Sequence, residues 1–287
     1  MEQTDHKMPI PQLSLVCPTA RSLEVCIEMC NTIKTNLDME IIFVGPVNIF
    51  AKNNNPTPPM NELGGPPIPY KFITTPVKPV QCQQIGAIKS TGETMGLIPD
   101  DCKFSPYAWD KLYTIYKESN DYKTIATMSW FEFHKSHKKW SEQKRSLVWN
   151  TFDLSAKPDA SLWRNTTRTT IFNIPIPGSC IISRQFFFEL GGYDRGFITR
   201  NAVREIYLRA GINGATVKYC DDARVFEGQM YNIIYSPGKR NYIEDNIRYG
   251  QKWKLKDGKL IRTGDDLLFE CNDTILTYSQ GPKGDWP

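Results

Sequence analysis

Short runs of consecutive apolar residues alternate along the first part of the chain with stretches whose apolar positions recur every three or four residues. LSLVCP (13–18) and MEIIFVG (39–45) are runs of the first kind, and between them Leu23, Cys26, Ile27, Cys30 and Ile33 share one helical face. Unbroken apolar runs of this length suit strands buried on both sides, and the wider spacing suits a helix laid over them. The alternation continues. YKFITT (70–75) predicts a third strand, Val80 to Ser90 a helix, and TMGLIP (94–99) a fourth strand. Ser105-Pro106 then reads as an N-cap with proline at the first helical position, before a helix through Tyr107 to Glu118 and a strand at TIATMSWFEF (124–133). Strands alternating with helices predict an α/β fold with a doubly wound, mostly parallel sheet, whose ligands lie beyond the carboxyl ends of its strands.

The alternation breaks twice. Residues 46–69, with NNNPTPP and GGPPIP, are too rich in Pro, Gly and Asn for regular structure and predict a long loop. Residues 134–168 are polar and aromatic with no clear period, and predict an irregular insertion. Beyond it, TTIFNIPIPGSCIISR (169–184) reads as two strands broken at Pro177-Gly178, and FFFELGGYD as a short helix entering a glycine turn. A helix over Ala202 to Ala210 follows, ended by Gly211 as its C-cap, and then a strand at Ala215 to Cys220. A helix over 243–253 and weak hairpin character at Asp257-Gly258 complete the pattern. The division expected is an N-terminal tail (1–11), one α/β domain (12–226), and a C-terminal helix and tail (227–287).

Composition adds limits. The 287 residues carry a formal charge of +4, and the basic residues are dispersed apart from His134 to Lys139, which argues against nucleic acid as a partner. No apolar stretch approaches the roughly 18 residues needed to span a bilayer, and the first residues have no apolar core of a signal peptide. The expectation is therefore a cytoplasmic protein without an integral membrane segment. Its eight cysteines lie in apolar segments with no CxxC pair, as buried free thiols do. Cys26 and Cys30, four apart, read as small core residues on one helix face.

Candidate chemistry begins at KSTGETMGLIPDDCKF (89–104), where an apolar strand ends in Pro99 and the adjacent carboxylates Asp100 and Asp101. Such a pair can hold a metal and a phosphate, or can simply begin a turn. The blocks LVCPTARSLEVCIEMC, MEIIFVG, CQQIGAIKSTGETMGLIPDDCKFSP, GSCIISRQFFFELGGYDRGF and a helix closing in LRAG follow one another between residues 12 and 226. In this order they resemble the family 2 inverting glycosyltransferases of the GT-A fold. Gly86, Thr91, Gly92 and Glu93 match the family's helix and Thr-Gly-Glu turn, and Gly191-Gly192-Tyr193-Asp194 its Gly-Gly-Phe-Asp turn. Arg184 opens the helix before that turn as in many members.

The resemblance implies a nucleotide-diphosphate sugar donor, a glycan, lipid-linked or protein acceptor, a Mn²⁺ or Mg²⁺ ion on the diphosphate, and a carboxylate as general base. It places the family's Asp-x-Asp on Pro99-Asp100-Asp101. Asp101 is then the metal carboxylate, while Pro99 replaces the first acid, for which Asp100 substitutes by a shift of one. Donor contacts are implied at Pro18, Thr19 and Arg21 after the first strand, at Gly86, at Lys89 and at Asp100; Lys78 and Lys239-Arg240 are further candidate phosphate contacts. The chain departs from the pattern elsewhere. Its second strand ends in Val44-Gly45-Pro46 where the family has a base-reading Asp, and Ala202-Val203 stand where the family has Glu-Asp. Asp194 and Glu205 are the candidate catalytic substitutes, each with a structural reading beside it: a turn residue for Asp194, a helical ion-pair partner for Glu205. In place of a late metal-binding His the chain offers Glu227 or Asp222. A working glycosyltransferase, a glycosyltransferase-like binding or assembly module without catalysis, and another nucleotide-binding α/β transferase all remain open.

Overall fold

The computed structural model describes residues 10–19, 23–45, 68–75, 79–133, 142–168, 170–171, 174–194, 196–197, 201–228 and the isolated positions 245, 249, 255–256 and 259–260. The elements in chain order are β1 (Leu13–Pro18), α1 (Leu23–Asn31), β2 (Met39–Gly45), β3 (Tyr70–Thr74), α2 (Pro79–Lys89), β4 (Thr94–Leu97), β5 (Cys102–Phe104) and α3 (Ala108–Ser119). There follow β6 (Thr124–Phe133), α4 (Glu142–Thr151), β7 (Trp163–Asn165), β8 (Thr170–Ile171), β9 (Ile174–Pro175) and β10 (Cys180–Ser183). Last come α5 (Arg184–Glu189), α6 (Asn201–Ile212), β11 (Thr216–Glu227), β12 (Leu255–Lys256) and β13 (Lys259–Leu260).

Nine strands form one sheet in the order β3-β2-β1-β4-β10-β6-β11-β5, with β7 paired to β6 beside β10. β1, β2, β3 and β4 run parallel, and β6 runs parallel to β11. β10 is antiparallel to both β4 and β6, so it reverses between two parallel groups that share one direction. Six strands therefore present their carboxyl ends at one edge.

Apolar layers cover both faces of this sheet. Leu13, Leu15 and Cys17 of β1 pack with Cys26 and Cys30 of α1 and Trp109 and Leu112 of α3. Val16, from the opposite side of the same strand, packs with Val80 and Ala87 of α2, Phe186 of α5 and Ile206 of α6. Doubly wound packing follows from the alternation of side chains along a strand buried on both faces. Gly86 allows α2 to lie this close: a Cβ there would stand 2.4 Å from Val16 Cγ1. Seven cysteines are buried free thiols among the described residues, and both Cys26 and Cys30 face the core. Burial pushes the thiols of Cys30, Cys82 and Cys180 up to about 12. Among the described residues no helix is long and apolar enough to cross a membrane.

Four local expectations change. The helix after Ser105-Pro106 starts at Ala108, its cap position is Tyr107 in the left-handed region (φ 57°), and no side chain caps it. Ser105 Oγ instead accepts from the Arg224 amide at 2.9 Å, drawn away by the neighbouring strand. Gly211 lies inside α6, and the left-handed residue after it is Gly214 (φ 83°). The strand expected over 215–220 continues as β11 to Glu227, with a register shift between Cys220 and Arg224, and it pairs with β5, which has no sequence signal of its own. Part of the expected irregular insertion is regular: α4 and β7 enclose a separate aromatic cluster of Phe133, Trp149, Trp163 and Phe226, while 152–162 between them carry no regular element. Within it the Phe133 and Trp163 rings stack 4.4 Å apart. Of the loop 46–69 only residues 68–69 are among the described residues. The 243–253 helix is described only at 245 and 249, both helical, and β12 pairs with β13 as the hairpin at Asp257-Gly258 requires.

Candidate functional site

At the carboxyl edge, β1 ends in Pro18 and Thr19, β2 in Gly45, and β4 passes through Ile98-Pro99 into Asp100-Asp101. The exit of β1 crosses directly over the end of β2. Thr19 donates its amide to the Val44 carbonyl at 2.9 Å, and a Cβ on Gly45 would stand 2.1 Å from the Thr19 carbonyl oxygen. Only glycine fits beneath that crossing, which is a physical reason for the second strand to end without an acid. The crossing also brings Thr19 over the β4 turn. Its hydroxyl donates to Asp100 Oδ2 at 2.8 Å and lies 3.4 Å from Cys26 Sγ. Both carboxylates are buried, Asp100 at 7% and Asp101 at 5% exposure. The Cys17 thiol beneath them is pushed well up, first by burial and then by the nearby Cys26 and Asp100.

The far end of β11 closes this edge. Glu227 pairs in register with Cys102, and the Gly228 amide donates to the Asp101 carbonyl at 2.8 Å. The Glu227 side chain shares the face of its partner Cys102, where the Trp130 indole N–H donates to its Oε2 at 3.3 Å. Asp222 belongs to the irregular part of β11, where its carbonyl accepts from Lys111 Nζ.

A small cleft, with a cavity volume of about 10 Å³, lies next to these residues, lined by Val25, Glu28, Met29, Asp100, Asp101, Cys102, Lys103 and Trp149. Lys103 on β5 points to the helices on either side. Its ammonium meets Glu28 Oε1 of α1 at 2.7 Å, donates to the Trp149 carbonyl of α4 at 2.9 Å, and sits 4.7 Å from the Trp149 ring centroid. The Trp149 carbonyl lies in the last turn of α4, where helix carbonyls lack helical partners and favour a cation. The indole packs on Gly228, where a Cβ would come within 3.0 Å of it.

The Gly-Gly turn is fixed from two sides. Arg209 of α6 donates Nη1 to the Leu190 carbonyl, Nη2 to the Gly192 carbonyl at 2.6 Å, and Nε and Nη2 to the two oxygens of Glu205 at 2.7 Å each. Gln84 of α2 accepts from the Tyr193 amide at 2.8 Å. Gly192 (φ 71°) leaves no room for a side chain against Gln84. Glu205 and Arg209 are wholly buried, which is the geometry of a structural ion pair. Asp194, 2% exposed, accepts from the Gly196 amide at 2.8 Å and shapes the following turn.

The structure thus brings Pro18, Thr19, Asp100 and Asp101 together at one edge, where β11 also ends at Glu227. Gly86 lies below, in the helix–sheet contact. Lys89 is exposed at the end of α2, next to the Ser90–Glu93 turn that bonds to the first residues of β1 and β2, at the opposite edge of the sheet. Arg21, Lys78 and residues 239–240 lie outside the described residues. Lys103, Glu28 and Trp149 were missed by sequence reasoning, because their meeting joins three elements distant in the chain.

Among the described residues no three His, Cys, Asp or Glu side chains are grouped to hold a metal. The acids at the edge fit Mg²⁺ or Mn²⁺ only as ions that take most of their ligands from phosphate and water, as Mg²⁺ commonly does.

No family model and no curated protein matches the sequence. Solved structures do match in shape. A crystal structure of GalNAc-T7 with UDP, GalNAc and Mn²⁺ superposes with a TM-score of 0.54 at 13% identity, over 96% of this chain and 57% of that one. TarS of S. aureus superposes with a TM-score of 0.53 at 12% identity, over 93% of this chain and 42% of that one. The chain thus has the GT-A glycosyltransferase fold and spans about half the length of these two.

Proposed function

We propose that the protein binds a nucleotide-diphosphate sugar at the carboxyl edge of β1, β2 and β4 and transfers the sugar, with inversion, to a glycan, lipid-linked or protein acceptor. The observation that carries this reading is the bond from Thr19 to Asp100, which joins the exit of β1 to the acidic turn after β4 within a GT-A sheet. Asp100 replaces the acid lost at Pro99, and the main chain at Pro18-Thr19 lies against the nucleotide. Asp101 is the carboxylate for a divalent cation, which when bound offsets the charge of the leaving diphosphate. Asp194 is the candidate for the base that takes the acceptor hydroxyl's proton.

One observation favours a second reading, a donor-binding module without transfer. Ala202, fully buried, stands with Val203 at the start of α6, Glu205 is held by Arg209, and Asp194 shapes its own turn. Release of free sugar from UDP- and GDP-sugars separates the two. The transferase reading expects turnover that falls by at least about a hundredfold, the scale of one general base, in Asp194→Asn with donor binding retained. Donor binding without turnover in wild type would establish the module, and an Asp194→Asn enzyme of full activity would remove Asp194 as the base.

A further inference from the structure

Lys103 is a buried lysine, 8% exposed, two residues beyond Asp101 in the wall of the cleft. A strut between two helices needs no place in a cleft wall, yet Lys103 has one. Two of its three protons are directed at Glu28 and the Trp149 carbonyl, and the ammonium also lies 4.7 Å from the Trp149 ring centroid; no third oxygen acceptor meets it among the described residues. The two partners also differ. The Trp149 carbonyl is fixed in a helix, whereas the Glu28 side chain is 37% exposed and sits on the surface of α1. A long, partly solvated carboxylate is a partner that an incoming anion can replace. Glu28, Asp100, Asp101 and Lys103 together give the cleft a formal charge of −2, and among the described residues that line it Lys103 is the one cationic side chain.

We infer that Lys103 binds a phosphate oxygen of a nucleoside diphosphate in this cleft, and that Glu28 holds the ammonium in the free protein and yields it to the ligand. The inference rests on the donor reading above and adds to it a phosphate ligand that no acidic motif announces. Lysine suits the task as a compact point charge that accepts phosphate from any direction, and Trp149 fixes where the charge sits. No bond is made or broken in the exchange; one carboxylate contact gives way to one phosphate contact.

The test is a titration of UDP, and separately of inorganic pyrophosphate, into wild type, Glu28→Gln, Lys103→Met and the double variant. Glu28→Gln is expected to bind UDP about three to tenfold more tightly, because the competing carboxylate is gone. Lys103→Met is expected to bind it at least about tenfold more weakly, the scale of one charge-assisted hydrogen bond. In the Lys103→Met background the gain from Glu28→Gln should vanish, since the two effects act through one ammonium. Lys103→Met also removes the cation from the last turn of α4, so Glu28→Gln carries the sign: a purely structural lysine predicts unchanged or weaker UDP binding there. Wild-type UDP binding without a gain in Glu28→Gln overturns the role of Lys103 and leaves the nucleotide reading standing. The expected order seen with pyrophosphate, but no binding of UDP, supports Lys103 as an anion ligand and overturns the nucleotide reading. No binding of either ligand to wild type overturns both.

Discussion

Glu40 holds a turn rather than a ligand. One of its oxygens accepts from the Ser14 hydroxyl and from the amide and hydroxyl of Thr91, and the other accepts from Lys71 at 2.8 Å. The Thr-Gly-Glu block is thereby fixed to the amino end of the sheet, and Gly92 adds a bond to Ser14. Burial pushes the Glu40 carboxyl up, but the bonds from Lys71, Thr91 and Ser14 outweigh it and hold it below its ordinary value. A lowered folded-state value stabilises the protein above the unfolded glutamate range, about 4.3, and that contribution is lost as pH falls through the folded value. Glu40→Gln should therefore melt below wild type at pH 7, and the gap should close in acid; a gap independent of pH would contradict the charged network. Gly45 makes a second residue-scale case. Gly45→Ala places a methyl group against the Thr19 carbonyl, so it should lower stability by about 1–3 kcal/mol, as overpacking does, and weaken UDP binding by displacing Thr19. Unchanged binding in a destabilised Gly45→Ala would separate the crossing from the site.

Elements differ in how far their sequence announces them. β1, β2 and β4 are legible because their apolar runs are buried on both faces, and α1 because its apolar stripe covers those strands, whereas α2 buries Gln81 and Gln84 beside its apolar residues. β5 is not legible: three residues show no period, and its pairing depends on a β11 that extends beyond its own apolar start. α4 is not legible either, since its aromatic partners, Trp163 and Phe226, come from strands elsewhere in the chain. In the candidate site, Asp100 and Asp101 were visible as an acidic end to an apolar strand, but Lys103 was not, because a lysine in a short polar segment ordinarily faces water. Glu205 in α6 had both readings in the sequence, and its burial against Arg209 decides which geometry it adopts. Arg209→Met leaves a carboxylate buried without its partner, and we expect a loss of about 3–5 kcal/mol in chemical denaturation. A loss below about 1 kcal/mol would mean that the Gly-Gly turn is held by Gln84 alone.

Among the described residues, one reversed strand between two parallel groups gathers six carboxyl ends at one edge, and there Thr19 after β1, the β4 turn and the end of β11 meet. The two structures that share this architecture show the GT-A fold, while the substrate must be read from this chain's own side chains. Those side chains divide by edge: Thr19, Asp100, Asp101 and Glu227 at the carboxyl end, and Glu40, Thr91 and Glu93 at the amino end, where Glu93 meets Tyr113 and Lys117. The most direct measurement is calorimetric titration of UDP into wild type, Asp101→Asn and Glu93→Gln, each with and without Mn²⁺. Binding to wild type that strengthens with Mn²⁺, loses that strengthening in Asp101→Asn and keeps it in Glu93→Gln is the result this account predicts. Absence of UDP binding to wild type, or Mn²⁺-dependent binding that Asp101→Asn leaves intact, would contradict it.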